Sequence, residues 1–574
     1  MKKIGTDNRD FIRRIYLTAL IPNVIAVLGG TINVFFDGIL VGQKLGDAGL
    51  AAVNQSLPIY LVLCTIGSLF GSGASFLSSI AFGANDKEKG QRIFRATFLT
   101  STAVGLIVCL LGLLFITPLS GFLASSTSSE TMNYVRDYVS ITLIGGIFKI
   151  LLYIPFFYLR LEGKNNRSAA AMLTMTALNI LLDYLFLFVF DLGIAGAASA
   201  SVIATIVACV LGFIFLFTDH SNFKPGIAFY TAEDMKEIFR YGSPMALNNI
   251  LSSFRILFLN MILHSTGIAG LIAVFAVVNN VSEFSICIQN GVPQTASAMT
   301  GIFHGERDSG SVKTLLRTQL WTGGIMAAVF ALLVGVFSGG IGKLFGSAEN
   351  CTLALICFAV SLLFAVVNST MTYFYNTTGR IGMANLITVC RGCITVVFFA
   401  LVFAPLGEWI WIFYPASELF TLLLVLFLGK ILAHRNALTP FCLLDERFEK
   451  SGKSISFTTD CSNEKICGAS DGIRDFCEEN DFNAKKTMAI SLAIEEMLTI
   501  IAQKSLNGEG TMDVRVLKSG EEAILRIRSG GARYNPIEEM SDDLDYMGVQ
   551  MITKIASRTE YLSALGVNTL IIFL

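Results

Sequence analysis

The chain has 574 residues, of which 53% are hydrophobic and 15% are charged. A soluble globular protein carries about 25% charged residues, so this composition excludes an ordinary soluble chain, and the apolar content excludes disorder. The net charge of −1 combines two unlike regions, because charged residues occupy 48 of the 444 positions before Asp445 and 37 of the 130 positions from there on. The sequence therefore predicts a membrane region followed by a soluble domain.

Five basic residues open the chain, ahead of an apolar stretch much longer than the roughly 7–15 residues of a signal-peptide core. This pattern predicts an uncleaved first helix with its N-terminus inside. Most of the 12 cysteines lie in apolar spans, and the three in the tail lack metal-ligand spacing. Cys390 and Cys393 form a CxxC pair, but inside an apolar span, where two packing residues are the expected interpretation, so we expect no metal site and no cofactor.

Twelve apolar runs are long enough to cross a bilayer, which takes about 20 residues each. They lie near 14–41, 49–82, 94–117, 135–159, 168–190, 192–217, 241–265, 270–303, 314–338, 351–375, 384–405 and 409–433. The pattern predicts an all-α membrane protein with twelve transmembrane helices in two six-helix lobes. The predicted units are an N-terminal lobe (1–217), a cytosolic linker (218–240), a C-terminal lobe (241–435) and a small α/β domain (445–574).

The basic residues predict the orientation in the membrane. Lys and Arg number 21 in the N-terminal head and the inner loops but only 3 in the outer loops. Inner loops of membrane proteins are enriched in these residues. We therefore expect a multi-pass protein of the cell (inner) membrane, with the lipid bilayer as its partner and both termini in the cytoplasm.

The two halves overlay as an internal repeat at a shift of about 220 residues. The paired positions are Pro22 with Pro244, Gly46 with Gly267, Gly83 with Gly305, and Gly163 with Gly379. Because six spans is an even number, both halves enter the membrane from the same side, with a central cleft between the lobes. This organisation favours a transporter of small molecules over a scaffold.

Four polar residues in the first half predict one oxygen-rich pocket: Asp37, Asn179, Asp183 and Ser201. An ionisable group deep in a bilayer costs about 2.5–3.5 kcal/mol unless it is paired or wet. Asn179 and Asp183 share a helix face at i, i+4. Two nearby carboxylates are expected to bind a proton or to hold a monovalent cation jointly, and either event can bend the first span at its hinge, Pro22. The alternative for each acid is an interhelical hydrogen bond.

Four ionisable residues lie in the membrane spans of the second half: Arg255, Glu283, Arg391 and Glu418. One hypothesis is that they form two charge pairs that hold the lobe together. The other is that Glu283 and Glu418 belong to the coupling or substrate path.

Several segments together resemble the multidrug and toxic compound extrusion (MATE) transporters over about residues 10–435. They are Asn33–Gly42, Leu159–Gly163, the Asn179-x-x-x-Asp183 motif and the small-residue run that starts at Gly193. The resemblance implies a secondary antiporter, not an enzyme, that exports drug-like or toxic molecules in exchange for protons or sodium ions. It also implies that Asp37, Asn179, Asp183 and Ser201 form the cation site. A flippase for a lipid-linked glycan is the alternative transporter.

The tail alternates strands and helices in an order that resembles the GHKL-type ATPase fold of anti-sigma-factor serine kinases. The matching boxes are 492–500, 528–536 and 548–554. The resemblance implies that Glu496 is the general base and that Gly531 belongs to the second box. The position of the family's magnesium-binding asparagine is taken by Ile500, and that of its adenine-reading aspartate by Ser529.

Loss of both polar contacts predicts a degenerate, non-catalytic nucleotide site. A regulatory role or the docking of a cytosolic protein partner is then expected of the tail, and no nucleic acid is expected to bind. The alternative for the whole chain is a membrane-tethered sensor with a signalling domain.

Overall fold

The computed structural model describes residues 9–124, 129–218, 221–268, 270–344, 350–445, 454–519, 522–540 and 546–574. Within these residues, eleven helices are long and apolar enough to cross a membrane. They are α1 (Arg9–Gly46), α2 (Ala48–Gly83), α3 (Lys87–Leu114), α4 (Thr131–Leu161), α5 (Asn165–Val189), α6 (Gly193–Phe217), α7 (Ala232–Ser265), α8 (Leu271–Gly305), α9 (Ser309–Ile341), α10 (Thr352–Thr377) and α11 (Ile381–Asn436).

The last helix differs from the prediction of two separate spans. α11 has 56 residues and contains both predicted runs, 384–405 and 409–433. At about 1.5 Å per residue a helix of this length would measure roughly 84 Å, more than twice the hydrocarbon core of a bilayer. Its backbone leaves helical geometry at Gly407, where φ is 63°. Twelve crossings therefore stay a prediction, which requires α11 to cross the membrane twice with its turn at Gly407.

Glycines paired by the internal repeat share their backbone geometry. Gly46 and Gly267 have φ values of 62° and 69°, and Gly163 and Gly379 both have 77°. This left-handed region favours glycine. The two halves therefore turn in the same way at matching positions, as the repeat predicts.

The two lobes meet closely along α1, α2 and α8. A Cβ atom on Gly83 would lie 2.1 Å from a backbone carbonyl oxygen of α8, so only glycine permits this approach. The Asn23 side chain donates hydrogen bonds of 2.8 Å to the carbonyl oxygen of Gly291 and of 2.8 Å to the hydroxyl of Thr295. These contacts hold the lobes together on the side of the membrane that carries the basic loops, which we call the basic side.

α7 begins at Ala232, inside the predicted linker 218–240. Thr231 caps this helix: its hydroxyl accepts from the Asp234 amide at 3.1 Å, and the Asp234 carboxylate accepts from the Thr231 amide at 3.1 Å. Such a reciprocal box satisfies two amides at the start of a helix. The Asp234 carboxylate also pairs with Arg92 at 3.1 Å, which fastens α7 to α3.

The C-terminal domain (454–574) contains a five-stranded antiparallel sheet with the order β1-β2-β3-β5-β4. The strands are β1 (Ser454–Asp460), β2 (Thr511–Ser519), β3 (Glu522–Ser529), β4 (Arg558–Ala564) and β5 (Val567–Phe573), and the helices are α12 (Asn463–Glu479), α13 (Ala484–Lys504) and α14 (Met547–Ile555). Apolar residues of these helices and of the sheet form one core. The sequence predicts strands and helices of the tail near 454–459, 464–479, 484–504, 512–518, 522–528, 547–556, 559–564 and 567–573, and all are present with ends that differ by at most one residue.

The β4–β5 hairpin packs against the N-terminal lobe. Its turn has positive φ at Leu565 (61°) and Gly566 (71°), the backbone pattern of tight two-residue hairpins. The Leu565 amide donates a 3.0 Å hydrogen bond to the carbonyl oxygen of Leu161 at the end of α4. Lys87, at the start of α3, donates to the carbonyl oxygen of Tyr561. The hairpin thus adds its apolar side chains to the core of the membrane region.

The sheet of the same domain binds the C-terminal lobe through buried charges in the α8–α9 loop. Arg526 pairs with Glu306 at 2.8 Å and with Asp308 at 2.7 Å, and Arg515 pairs with Asp308 at 3.0 Å. Arg528, which is 1% exposed, pairs with both acids. Each of these charges is therefore compensated across the interface.

The interface shifts the pKa values of its two aspartates in opposite directions. Burial alone would raise the pKa of Asp308, but Arg526, Arg515 and Arg528 outweigh it and hold the pKa below its usual range. Burial raises the pKa of Asp513 to about 6, although Arg528 and Arg526 counteract this effect. The lowered pKa keeps Asp308 charged at neutral pH, as its ion pairs with the three arginines require.

Candidate functional site

Three helices bring the four predicted cation-site residues together in the N-terminal lobe. Asp37 lies on α1, Asn179 and Asp183 on α5, and Ser201 on α6. The Asn179 side-chain amide donates a 3.1 Å hydrogen bond to the Ser201 hydroxyl. Asn179 and Asp183 are fully buried, and the Asp37 carboxylate lies close enough to interact electrostatically with that of Asp183. The quartet is therefore one cluster.

Oxygen atoms of this cluster are buried without a hydrogen-bond donor among the described residues. They are both carboxylate oxygens of Asp183, one of Asp37, and the side-chain carbonyl oxygens of Asn33 and Asn179. Leaving a buried acceptor without a donor costs about 1–3 kcal/mol of stability. A cluster of such acceptors is therefore expected to bind a ligand. Carboxylate and amide oxygens suit a proton or a hard cation. The alternative that interhelical hydrogen bonds satisfy these acids finds no support in the described part of the chain.

The sequence did not predict two further features that lie near the cluster. Tyr138 on α4 interacts electrostatically with Asp37 and Asp183. Directly after Asp183, α5 passes into a π-helical turn, Leu185–Val189. Such turns often occur at functional sites because they re-aim neighbouring side chains. Neither feature has a local sequence signal. The position of Tyr138 depends on how the helices pack, and the π-helical turn depends on a single extra residue.

Pro22 lies within α1, where the described backbone remains helical from Arg9 to Gly46. A proline in this position leaves the preceding turn with one hydrogen bond fewer. Its role as a hinge stays a prediction.

One of the two predicted charge pairs forms in the C-terminal lobe. The Arg391 Nε donates to both carboxylate oxygens of Glu418, at 2.8 and 2.9 Å. The remaining guanidinium nitrogens donate to the Ser369 hydroxyl at 2.7 Å and to the Gln289 side-chain oxygen at 2.8 Å. Arg391 lies on the second π-helical turn of the membrane region, Cys390–Ile394. This pair is a bonded structural unit of the lobe.

The second predicted pair is missing: the Arg255 guanidinium and the Glu283 carboxylate form no ion pair or hydrogen bond with each other or with any other described residue. Both side chains line a cavity of about 170 Å³, which the Arg391–Glu418 pair also borders. The C-terminal lobe therefore combines a bonded charge pair with two opposite charges that have no direct partner.

The positions predicted for a degenerate nucleotide site lie in the C-terminal domain. Ile500 and Ser529 are each 2% exposed, and Ile500 packs in the apolar core. Glu496 lies against Gly548, where a Cβ atom would be 2.2 Å from its carboxylate carbon. Gly531 has a φ of 97°. The position where a magnesium ligand would be expected is thus apolar and enclosed.

A cavity of about 680 Å³ lies elsewhere, between the α2–α3 loop (84–86) and the strand β4 with its neighbouring loop (535–538). None of the four positions just described lines it. This cavity therefore lends no support to nucleotide binding at the predicted boxes.

The chain is similar to a family model and to known export proteins. The MatE family model matches residues 22–185, which include Asp37, Asn179 and Asp183. The multidrug export protein MepA of Staphylococcus aureus is 28% identical over 393 residues, covering 66% of this chain and 84% of MepA. The protein of the same name from Staphylococcus haemolyticus is 26% identical over 386 residues, with the same coverage.

Solved structures share the fold of the membrane region. A MATE crystal structure in complex with MaL6 has a TM-score of 0.69 at 22% identity, covering 73% of this chain and 96% of that one. An outward-facing multidrug resistance MATE transporter has a TM-score of 0.69 at 23% identity, covering 73% and 95%. The chain is thus similar in sequence to multidrug export proteins and shares the fold of MATE transporters. MATE proteins are transporters and not enzymes, and they use proton or sodium gradients rather than bound cofactors.

Proposed function

We propose that this chain is a secondary antiporter that exports drug-like or toxic small molecules in exchange for protons or sodium ions. The observation that carries the proposal is the set of buried, unpartnered oxygens around Asp37 and Asp183. A group that must bind and release a cation in each cycle cannot be permanently neutralised by an arginine or lysine. Among the described residues, no basic side chain pairs with either carboxylate.

The exchange follows from the charge of the cluster. Two carboxylates close together in a medium of low dielectric repel each other, so one incoming cation relieves the repulsion. The cation then changes the contacts among α1, α5 and α6. Because α1 also packs along α8, a change in α1 reaches the interface between the lobes. Ion entry can in this way favour the state that releases the exported molecule.

The proposed location is the cell (inner) membrane, with both termini and the C-terminal domain in the cytoplasm. The 21 to 3 distribution of Lys and Arg supports this orientation. The contacts of the C-terminal domain support it too, since Lys87, Leu161 and Glu306 all lie at the ends of helices on the basic side. We also propose that this domain is a degenerate GHKL-like unit without kinase activity, because Ile500 and Ser529 replace the two polar contacts.

The test is dye efflux by the full chain in proteoliposomes, with a proton gradient alone and with a sodium gradient alone. Efflux is expected with one of them and is expected to be lost in Asp183→Asn. The matched control is Asp191→Asn in the same lobe, since the Asp191 side chain is 76% exposed and, among the described residues, pairs with Lys44 alone. Unchanged gradient-driven efflux in Asp183→Asn would show that the coupling site is elsewhere. Rescue of a glycan-export defect without dye efflux would favour the flippase.

A further inference from the structure

We propose that the C-lobe cavity binds an organic zwitterion, with Arg255 holding its carboxylate and Glu283 its ammonium group. This inference deepens the proposed function, because it names the class of molecule that the antiporter exports. Arg255 and Glu283 line this cavity and have no direct partner among the described residues.

Four ionisable side chains border the cavity, and two of them are already occupied. Arg391 and Glu418 bind each other through two hydrogen bonds, and the Asn368 amide adds a third to Glu418 at 2.8 Å. Ser369 and Gln289 accept from the rest of Arg391. This pair therefore has little capacity left for a ligand.

Arg255 and Glu283 are in the opposite situation. An arginine stays charged in a protein and presents five N–H donors, yet the Arg255 guanidinium donates to no described residue. The Glu283 carboxylate accepts from none. Charges inside a membrane region are costly unless they are paired or face a wet cavity, and both of these line the cavity of about 170 Å³. Their free hydrogen-bonding groups are the expected complement of a ligand.

The charges together select a zwitterion. The cavity carries two positive and two negative side chains, so its net charge is zero. A purely cationic ligand would be repelled by Arg255, and a purely anionic one by Glu283. A molecule with both groups satisfies both residues, since the guanidinium fork matches a carboxylate bidentately and a carboxylate accepts from an ammonium.

Neutral polar and aromatic side chains are available to contact the rest of the ligand. The side chains of Asn248 and Asn290 form no hydrogen bond with a described residue, and they line both this cavity and a second one of about 170 Å³. The second cavity lies between the lobes and is walled by Tyr153 and Phe156 from one lobe and Tyr373 from the other. The predicted ligand is therefore a zwitterion with an aromatic body that extends into the space between the lobes.

The test uses three matched fluorescent probes and the purified full chain. Nα-dansyl-lysine has a carboxylate and an ammonium group, its methyl ester keeps only the ammonium, and dansyl-norleucine keeps only the carboxylate. Fluorescence titration is expected to give at least tenfold tighter binding of the zwitterion than of either analogue. Arg255→Gln should remove the preference over the ester, and Glu283→Gln the preference over dansyl-norleucine. Arg240→Gln, at an exposed position of the same helix as Arg255, should change neither preference.

The outcomes separate this inference from the proposed function. Because Arg255 has no described partner, Arg255→Gln is expected to fold normally, and Arg255→Lys should restore part of the preference. Equal weakening of all three probes in Arg255→Gln, or tighter binding of the ester by the natural chain, would overturn the zwitterion site. If the binding data contradict the zwitterion site but a gradient still drives efflux of the ester, only the zwitterion-site proposal is refuted. If no gradient drives any probe, the antiporter proposal fails.

A second inference has independent support: we infer that the C-terminal domain restrains the two lobes in the state closed on the basic side. The domain contacts the N-terminal lobe through the β4–β5 hairpin at Leu161 and Lys87. It contacts the C-terminal lobe through the buried arginine pairs to Glu306 and Asp308. Access from the basic side requires these helix ends to separate, so one rigid domain bound to both opposes it.

The test is hydrogen–deuterium exchange of the full-length Glu306→Gln/Asp308→Asn variant, which removes the two acids from the lobe and leaves the domain sequence intact. The hairpin (558–573) and the lobe ends (76–83 and 298–305) are all expected to exchange at least tenfold faster. Faster exchange in the hairpin with unchanged lobe ends would overturn the restraint. Should the double variant not fold, Lys87→Met removes only the contact to α3 and is read in the same way. Glu233→Gln, an exposed acid at the start of α7, is the control.

Discussion

Gly163→Ala is expected to undock the β4–β5 hairpin from the membrane region. Gly163 follows α4 and has a φ of 77°, and the Cβ atom of an alanine would lie 2.0 Å from the Gly566 nitrogen. Ordinary van der Waals contact begins at 3.4 Å, so the hairpin must retreat by 1.4 Å. That displacement breaks the 3.0 Å hydrogen bond from Leu565 to Leu161.

The repeat supplies a matched control for this variant. Gly379 has the same φ of 77°, and the nearest atom to its added Cβ would be the Tyr241 hydroxyl at 3.6 Å. Left-handed backbone costs an alanine about 1–2 kcal/mol, which both variants share. Only Gly163→Ala also loses the hydrogen bond, which contributes about 0.5–1.5 kcal/mol. It loses apolar contact around Leu565 as well, which contributes a similar free energy.

The difference between the two variants is thus about 1–3 kcal/mol, or roughly a five- to 150-fold fall in the ratio of docked to undocked domain, since 1.4 kcal/mol is a factor of ten. Hydrogen–deuterium exchange of the hairpin measures this ratio in the full chain. We expect faster exchange over 558–573 in Gly163→Ala and little change in Gly379→Ala. Equal exchange in both variants would refute the docking geometry as the cause.

Three other predictions concern different parts of the molecule. Glu418→Gln leaves the partly buried Arg391 without its charged partner and is expected to cost about 3 kcal/mol of stability, measured by thermal unfolding. Gly83→Ala should force the lobes apart on the basic side and speed exchange over 298–305, whereas Gly324→Ala, with open space around its Cβ, should not. Asp513 has a pKa raised to about 6, so its contribution to stability is present at low pH and falls as the pH rises from about 4 to 6; Asp513→Asn should flatten that part of the pH profile.

Local patterns in the sequence were enough to predict most of the elements. Alternation and helical periodicity identified every strand and helix of the C-terminal domain. The i, i+4 spacing of Asn179 and Asp183 was enough to place both on one face of α5. These features depend on residues a few positions apart, so a single sequence contains the information.

Partners distant in sequence could not be predicted in the same way. Four intramembrane charges allow two pairings in the C-terminal lobe, and only the rotations of the helices decide that Arg391 meets Glu418 while Arg255 and Glu283 remain apart. Arg528 belongs to a motif that resembles a nucleotide-binding box. In the structure its guanidinium instead binds the α8–α9 loop, more than 200 residues away along the chain.

The linker and the last helix illustrate the limits of hydropathy. Charged residues from Glu233 to Arg240 made the start of α7 look like a loop, yet a capping box begins the helix there. A break in the apolar pattern near Gly407 predicts two helices, but it does not show the form of the turn between them, which is a 3₁₀ segment, Ala404–Ile412, with a positive φ at Gly407. Hydropathy reports where a chain can be buried, and the caps and glycines decide where helices begin and turn.

The two halves have the same backbone turns but differ in their charged residues. This difference supports separate roles for the two lobes in the proposed exchange. In the N-terminal lobe, the Asp37–Asp183 cluster has acidic groups and no basic partner among the described residues, as the proposed binding and release of a cation requires. In the C-terminal lobe, two arginines and two glutamates line the cavity, so it has no net negative charge to attract a bare cation. The Thr31 hydroxyl of α1 donates a 3.3 Å hydrogen bond to the backbone carbonyl of Glu283. If an ion moves α1, as we propose, this hydrogen bond transmits the movement to the residue proposed to hold the exported molecule, and exchange between two separate sites requires such a connection.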